Sequence, residues 1–230
     1  MKKEKVLMLV DECYIKDCCS VCIVCVHGEE NISLLNDQMR QIAIDPAINV
    51  YRAQTKTFHY NEDSIGARQS LSSWIYKMPI STYLAINKKA IFSTKQEKDT
   101  FVYQTLLPEL LKPLKMKFSK RYGSDIEYLV KFENLTDKSN LDRNFFTKIL
   151  ETIPLCRDME IQVVTKEEEP LTFLPDYFLG FVNHCMQGNS WSADSLKLIG
   201  NKVGLILMSE KGKKFRYERG EDIVNFLGQK

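Results

Sequence analysis

The chain of 230 residues is poor in the residues that interrupt regular structure, with only 10 Gly and 7 Pro. Beside 44% hydrophobic residues, that scarcity excludes a collagenous, low-complexity or disordered chain. Long apolar runs are also missing. The longest, Val21 to Val26, stops at six residues, where a membrane helix needs roughly 20. Met1-Lys2-Lys3-Glu4-Lys5 carries a signal-like charge, but the apolar stretch behind it is short and ends at Asp11-Glu12, so a cytoplasmic protein is expected. No charge of one sign dominates: 32 Lys+Arg face 30 Asp+Glu, and this balance identifies no partner. No Gly/Ser linker or internal repeat divides the chain, so residues 1–230 are expected to form a single domain, with 189–230 as a C-terminal extension of uncertain structure.

Cysteine is what the chain does have. Seven are present, and five crowd between Cys13 and Cys25. An odd, clustered set is unlike a secreted disulfide framework, so the thiols are expected to be reduced. On a strand Cys22 and Cys25 point to opposite faces, which argues for core filling over a thiolate cage.

Hydrophobic patterning predicts strands over Lys5–Asp11 and Ser20–His27, both buried on two faces. A helix from Asn31, with Ser33 as a candidate cap and Leu34, Leu35, Met39, Ile42 and Ile44 on one face, should end at Pro46. An alternating strand is expected over Val50–Tyr60, a helix over Asp63–Lys77 and a strand over Ile80–Ile86. Lys95–Lys117 reads as a helix that Pro108 and Pro113 bend or divide. Strands are expected over Ile126–Phe132, ending at Glu133, and over Glu160–Thr165, with a capped helix from Ser139 to Ile153 between them. A helix begins near Leu174-Pro175-Asp176, and beyond Gly188 either a helix and a hairpin or two short strands follow. This order specifies an α/β fold: a mixed β-sheet flanked by helices, its early strands paired as a hairpin.

Three acids stand at element ends. Asp11 and Glu133 close apolar strands, where open α/β sheets hold their ligands; either could equally accept turn hydrogen bonds. Asp176 opens a helix whose polar stripe, Asp176, Gly180, Asn183 and Gln187, contains a glycine that permits close approach by another surface. Carboxylates suit hard cations such as Mg²⁺ or Mn²⁺, and two such ions about 4 Å apart can drive phosphodiester hydrolysis. Whether the three acids converge depends on topology. Two basic runs, Lys112 to Arg121 and Lys211 to Arg219, offer contacts to a phosphate backbone, with Tyr122, Phe215 and Tyr217 beside them to stack on bases.

Val6-Leu7-Met8-Leu9-Val10-Asp11-Glu12-Cys13 resembles the opening strand of the bacterial family known only as domain of unknown function 3800. Thr57-Phe58-His59-Tyr60 with the helix bearing Arg68, the strand to Glu133, and Phe173-Leu174-Pro175-Asp176-Tyr177-Phe178-Leu179-Gly180 extend the resemblance over roughly Lys5 to Gln187. It implies an RNase H-like fold and a divalent-metal-dependent nuclease. Asp11, Glu133 and Asp176 would hold Mg²⁺ or Mn²⁺, with Glu12 as an auxiliary acid, His59 as a general acid/base or positioning group, and Asp137 as a fallback ligand. DNA or RNA is the implied partner, and mobile-element or antiviral defence, with a protein partner, the implied setting. Cys13 in place of Ser, Glu133 in place of Asp and Pro175 in place of Ala depart from the family pattern. They motivate an alternative, a catalytically degenerate binding module. A thiol-based redox or metal protein is a third reading.

Overall fold

The structure is a computed structural model, and it describes residues 3–15, 18–49, 57–88, 92–123, 125–133, 148 and 151–228. Seven strands form one mixed sheet: β1 (Glu4–Ile15), β2 (Cys18–His27), β3 (Ser81–Lys88), β4 (Ile126–Glu133), β5 (Met159–Val164), β6 (Val203–Glu210) and β7 (Lys213–Glu218). Their order across the sheet is β5-β4-β1-β2-β3-β6-β7. β1, β3, β4, β5 and β6 run in one direction; β2 and β7 run against them. Parallel strands need long crossovers, and helices supply them on both faces.

The alternation of β1 explains why its apolar run is continuous. Leu7 and Leu9 enter the core beneath α6 (Phe173–Met186) and α7 (Ser190–Ile199), whereas Val6, Met8 and Val10 enter the core beneath α5 (Leu107–Tyr122). Each of these side chains is at most 3% exposed. Truncating Leu9 to Ala would cost about 2–5 kcal/mol. Cys22 and Cys25 divide in the same way, one to each core.

Helix α1 (Glu29–Ile44) starts two residues before the expected Asn31, directly after Gly28, whose φ of 85° turns the chain out of β2, so Ser33 lies within the helix and does not cap it. Leu35 and Ile42 are its buried positions, and Ile44, expected on the same face, is 75% exposed because the helix ends there. A short helix, α2 (Pro46–Asn49), follows. Of the strand expected over Val50–Tyr60, residues 50–56 lie outside the described residues, and Thr57–Tyr60 is an irregular segment closing in a turn. Helix α3 (Ile65–Lys77) is capped by Ser64, whose hydroxyl accepts from Ala67 N–H. The long helix divides as its prolines suggest. α4 (Lys95–Phe101) passes through a π-helical stretch, Val102–Leu106, into α5, which has Pro108 in its first turn and absorbs Pro113 in its interior. The helix expected from Ser139 falls mostly outside the described residues, and Ile153, its last expected position, precedes a 3₁₀ turn.

Past Gly188 the structure has a helix and a hairpin: α7, then β6 and β7, then α8 (Ile223–Gly228). β6 pairs with β3, which carries the hairpin onto the main sheet.

One register detail creates the site. The parallel ladder of β1 with β4 ends at Val10 opposite Phe132, while β1 continues against β2 as far as Ile15 opposite Cys18. β1 and β4 therefore part after Val10, and Asp11 stands at the parting in mid-strand rather than at a strand end.

Candidate functional site

Asp11 follows Leu7 and Leu9 onto the α6 face, and its Oδ1 accepts the N–H of Glu12 at 2.8 Å. Glu133 is the last residue of β4, beside the same parting. Asp176 lies in the first turn of α6, where Pro175 suits the helix start and the helix dipole favours a negative side chain. Three elements distant in sequence thus bring their acids to one corner.

A lysine occupies that corner. Lys166 is 5% exposed; its Nζ lies 3.2 Å from Glu133 Oε1, donates to Asp176 Oδ2 at 2.9 Å, and lies 2.8 Å from His59 Nδ1. The turn after β5 sets its position: Thr165 N–H donates to Glu168 Oε2, Glu168 N–H returns a bond to Thr165 Oγ1, and Glu169 N–H donates to Thr165 O. Lys131 pairs with Glu169 beneath.

An ammonium has donors only, so His59 Nδ1 accepts, and its ring proton resides on Nε2. A second turn holds this histidine: His59 N–H donates to Asp63 Oδ2 at 3.1 Å, Asp63 N–H donates to His59 O at 2.9 Å, and the Tyr177 hydroxyl donates to Asp63. The same turn aims Tyr60 N–H at Asp176 Oδ2, 3.0 Å away. Tyr60 lies flat over Gly180, where an added Cβ would meet the ring at 2.1 Å. This is the close approach that the glycine in the polar stripe of α6 permits. The Tyr60 hydroxyl lies 3.0 Å from His184 Nδ1 and 3.2 Å from Ser192 Oγ, and the buried Arg68 guanidinium stacks 4.5 Å from its ring.

Comparison with protein-family models, curated proteins and solved structures gives no match. The chemistry of the corner therefore rests on its own electrostatics.

Burial, then the neighbouring Glu133, Glu12 and Asp176, pushes the Asp11 carboxyl well above the ordinary carboxylate range, with Lys166 acting against the shift. Glu133 is pushed up to about 7, chiefly by burial, again opposed by Lys166. Burial acts to lower the Lys166 pKa, but Asp176, Glu133 and Asp11 outweigh it and hold the ammonium above its usual value. Lys166 thus pairs with two of the acids, Glu133 and Asp176, and opposes the protonation that burial and mutual repulsion favour at Asp11 and Glu133.

Among the described residues no group of three or more His, Cys, Asp or Glu side chains is assembled to hold a metal ion. Lys166 stands between Glu133 and Asp176. The donor chemistry nevertheless suits a hard cation: every acid offers oxygen, and Glu133 Oε2 is buried without a hydrogen-bond partner among the described residues.

The other expected residues lie elsewhere. Glu12 points to the opposite face of the sheet, where it accepts from the Tyr103 hydroxyl, so it does not join Asp11. Cys13 is beside the corner, and burial pushes its thiol up to about 12, which leaves it protonated. Asp137 lies outside the described residues. Lys166 is the residue of this corner that patterning misses; its one signal is a lysine just after a strand, ahead of three consecutive acids.

Proposed function

We propose that the chain is a divalent-metal-dependent nuclease that hydrolyses phosphodiester bonds of DNA or RNA in an RNase H-like sheet. The observation that carries this reading is the meeting of Asp11, Glu133 and Asp176, from three separate elements, where β1 and β4 part. The strand order supports it as well. β3-β2-β1-β4-β5 with only β2 reversed is the arrangement expected of an RNase H-like core, and the resemblance to the domain of unknown function 3800 family leads to the same fold.

Asp11, Glu133 and Asp176 are the residues that would hold Mg²⁺ or Mn²⁺. Bound there, the metal would supply positive charge against the phosphate and lower the pKa of a water. The chain's own groups prepare that chemistry. Tyr60 N–H fixes the Asp176 carboxylate. His59, held as the Nε2–H tautomer, carries a donor for a phosphate oxygen or a leaving alkoxide. Lys166 shields the acids from one another until they are engaged, and its ammonium can afterwards pair with a non-bridging phosphate oxygen.

The test is cleavage of labelled DNA and RNA oligonucleotides, single- and double-stranded, with Mg²⁺, Mn²⁺ or EDTA. Cleavage should need the metal and fall at least about 100-fold in Asp11→Asn and in Asp176→Asn. Cleavage that persists in EDTA and in both variants would overturn the assignment.

A second reading has one observation in its favour, the Lys166 ion pairs with Glu133 and Asp176. In it, Lys166 is a permanent substitute for the metal, and the protein is a binding module that does not turn over. It predicts no cleavage and no change of Tm with Mg²⁺ or Mn²⁺.

A further inference from the structure

The two basic runs, about ninety residues apart in sequence, come together in the fold. α5 packs above β3, and the β6–β7 hairpin extends the sheet two strands further, leaving a groove between the helix and β7. Lys112, Lys117 and Arg121 stand exposed along α5, and Lys214, Arg216 and Arg219 stand exposed along β7 and the turn after it. The rows are within reach of each other. Lys214 Nζ bonds Glu109 Oε1 of α5 at 3.0 Å, and Lys112, Lys214 and Arg216 line one pocket of about 380 Å³ floored by Leu207, whereas Phe215 turns to the opposite face of the sheet. Further along, Lys117 Nζ lies 3.1 Å from the Tyr83 hydroxyl, and Arg219 Nη2 lies 3.0 Å from Ser81 Oγ, both at the start of β3.

Few acids answer these cations. Glu109 pairs with Lys214 and Glu218 with Arg216. Lys112, Lys117, Arg121 and Arg219 make no ion pair among the described residues. Burial, together with Arg219 and Arg121, lowers the Lys117 pKa, as expected where like charges are held close.

We propose that this groove binds a single nucleic-acid strand, its phosphates running between the two rows of cations and a base resting against Leu207. Width favours one strand: α5 lies over β3, and β7 is two inter-strand spacings away, about 10 Å. A duplex, roughly twice as wide, would meet only the rim. The pocket volume lies within the roughly 300–1,000 Å³ of small-molecule sites, room for a nucleotide unit. The groove is on the α5 face and Asp11 on the α6 face, so the inference stands on its own observations and goes beyond the hydrolase reading.

The experiment measures binding of a fluorescent 15-nucleotide oligo(dT), and of a 15-base-pair duplex, to the full chain in EDTA over a salt series. About four unanswered cations predict a log–log salt slope near −3 for the single strand, with weaker binding of the duplex. Lys112→Glu with Arg216→Glu, and the milder Lys117→Gln with Arg219→Gln, should each weaken single-strand binding at least about 10-fold at 0.1 M salt and flatten the slope. Circular dichroism checks that both fold. Lys197→Glu, an exposed reversal on α7, should bind like wild type. The proposal is overturned if oligo(dT) does not bind, if both double variants bind like wild type, if Lys197→Glu weakens binding equally, or if the duplex binds more tightly than the single strand.

Discussion

Lys166 Nζ donates to Asp176 Oδ2 at 2.9 Å, and Asp176 receives Tyr60 N–H on that same oxygen. A lysine from the turn after β5 and an acid at the start of α6 are thereby locked to the loop bearing His59. The pair is the hinge of both functional readings, since the ammonium either yields its place to a metal or keeps it.

Lys166→Met tests the pair directly. Removing the cation leaves buried acids facing one another, so stability in EDTA should fall by about 3–5 kcal/mol. If the corner accepts a metal, Mn²⁺ should raise the Tm of the variant more than that of wild type, because the competing ammonium is gone. Thermal melts across a Mn²⁺ titration measure both effects. An equal response of the two proteins would count against metal entry at Lys166.

Asp11→Asn should separate stability from activity. Asp11 is buried and faces Glu133 and Asp176, which oppose its ionisation. Asn keeps the shape and the hydrogen bond to Glu12 N–H without the charge, so denaturant unfolding should show equal or greater stability while metal-dependent cleavage is lost. A variant that is both inactive and markedly unstable would show that Asp11 serves the fold.

Gly180→Ala places a methyl where the Tyr60 ring lies, at 2.1 Å. The ring must move, disturbing the Tyr60 N–H bond to Asp176 and the hydroxyl contacts to His184 and Ser192. Overpacking of this kind costs about 1–3 kcal/mol. Cleavage should fall further than the stability loss explains, and a cleavage assay well below Tm reads this out.

Glu12 supplies a pH dependence. Burial pushes its carboxyl up to about 8, so the folded protein holds a proton there that the unfolded chain releases at the ordinary glutamate value of 4.5. The folded state binds more protons between those values, so stability from this group falls as pH rises from 4.5 to about 8 and is lowest above it. Glu12→Gln removes the dependence: Tm should match wild type near pH 4.5 and exceed it by several degrees above pH 8. Parallel melting curves at the two ends would refute the assignment.

Much of the sheet was legible because burial on two faces leaves continuous apolar runs, as in Val6–Val10 and Val21–Val26. The same patterning placed α3 and the helix that opens at Asp176. It failed over Thr57–Tyr60, where apolar and aromatic side chains pack from an irregular loop and mimic an alternating strand. It also put Asp11 at a strand end, because the charge that ends the apolar run does not end the pairing with β2.

Local order in the chain was enough to determine the succession of strands and helices, the division of the cysteines between two cores, and the acids that border apolar elements. Periodicity and propensity act over a few residues, and they carry that information directly. Only the tertiary structure decided that Asp11, Glu133 and Asp176 share a corner, that Glu12 turns away from it, that Lys166 fills it, and that two basic runs face each other across a groove. Those relationships depend on strand register and crossover, which the whole packed sheet sets, and a buried charge finds its partner only once that packing has excluded water.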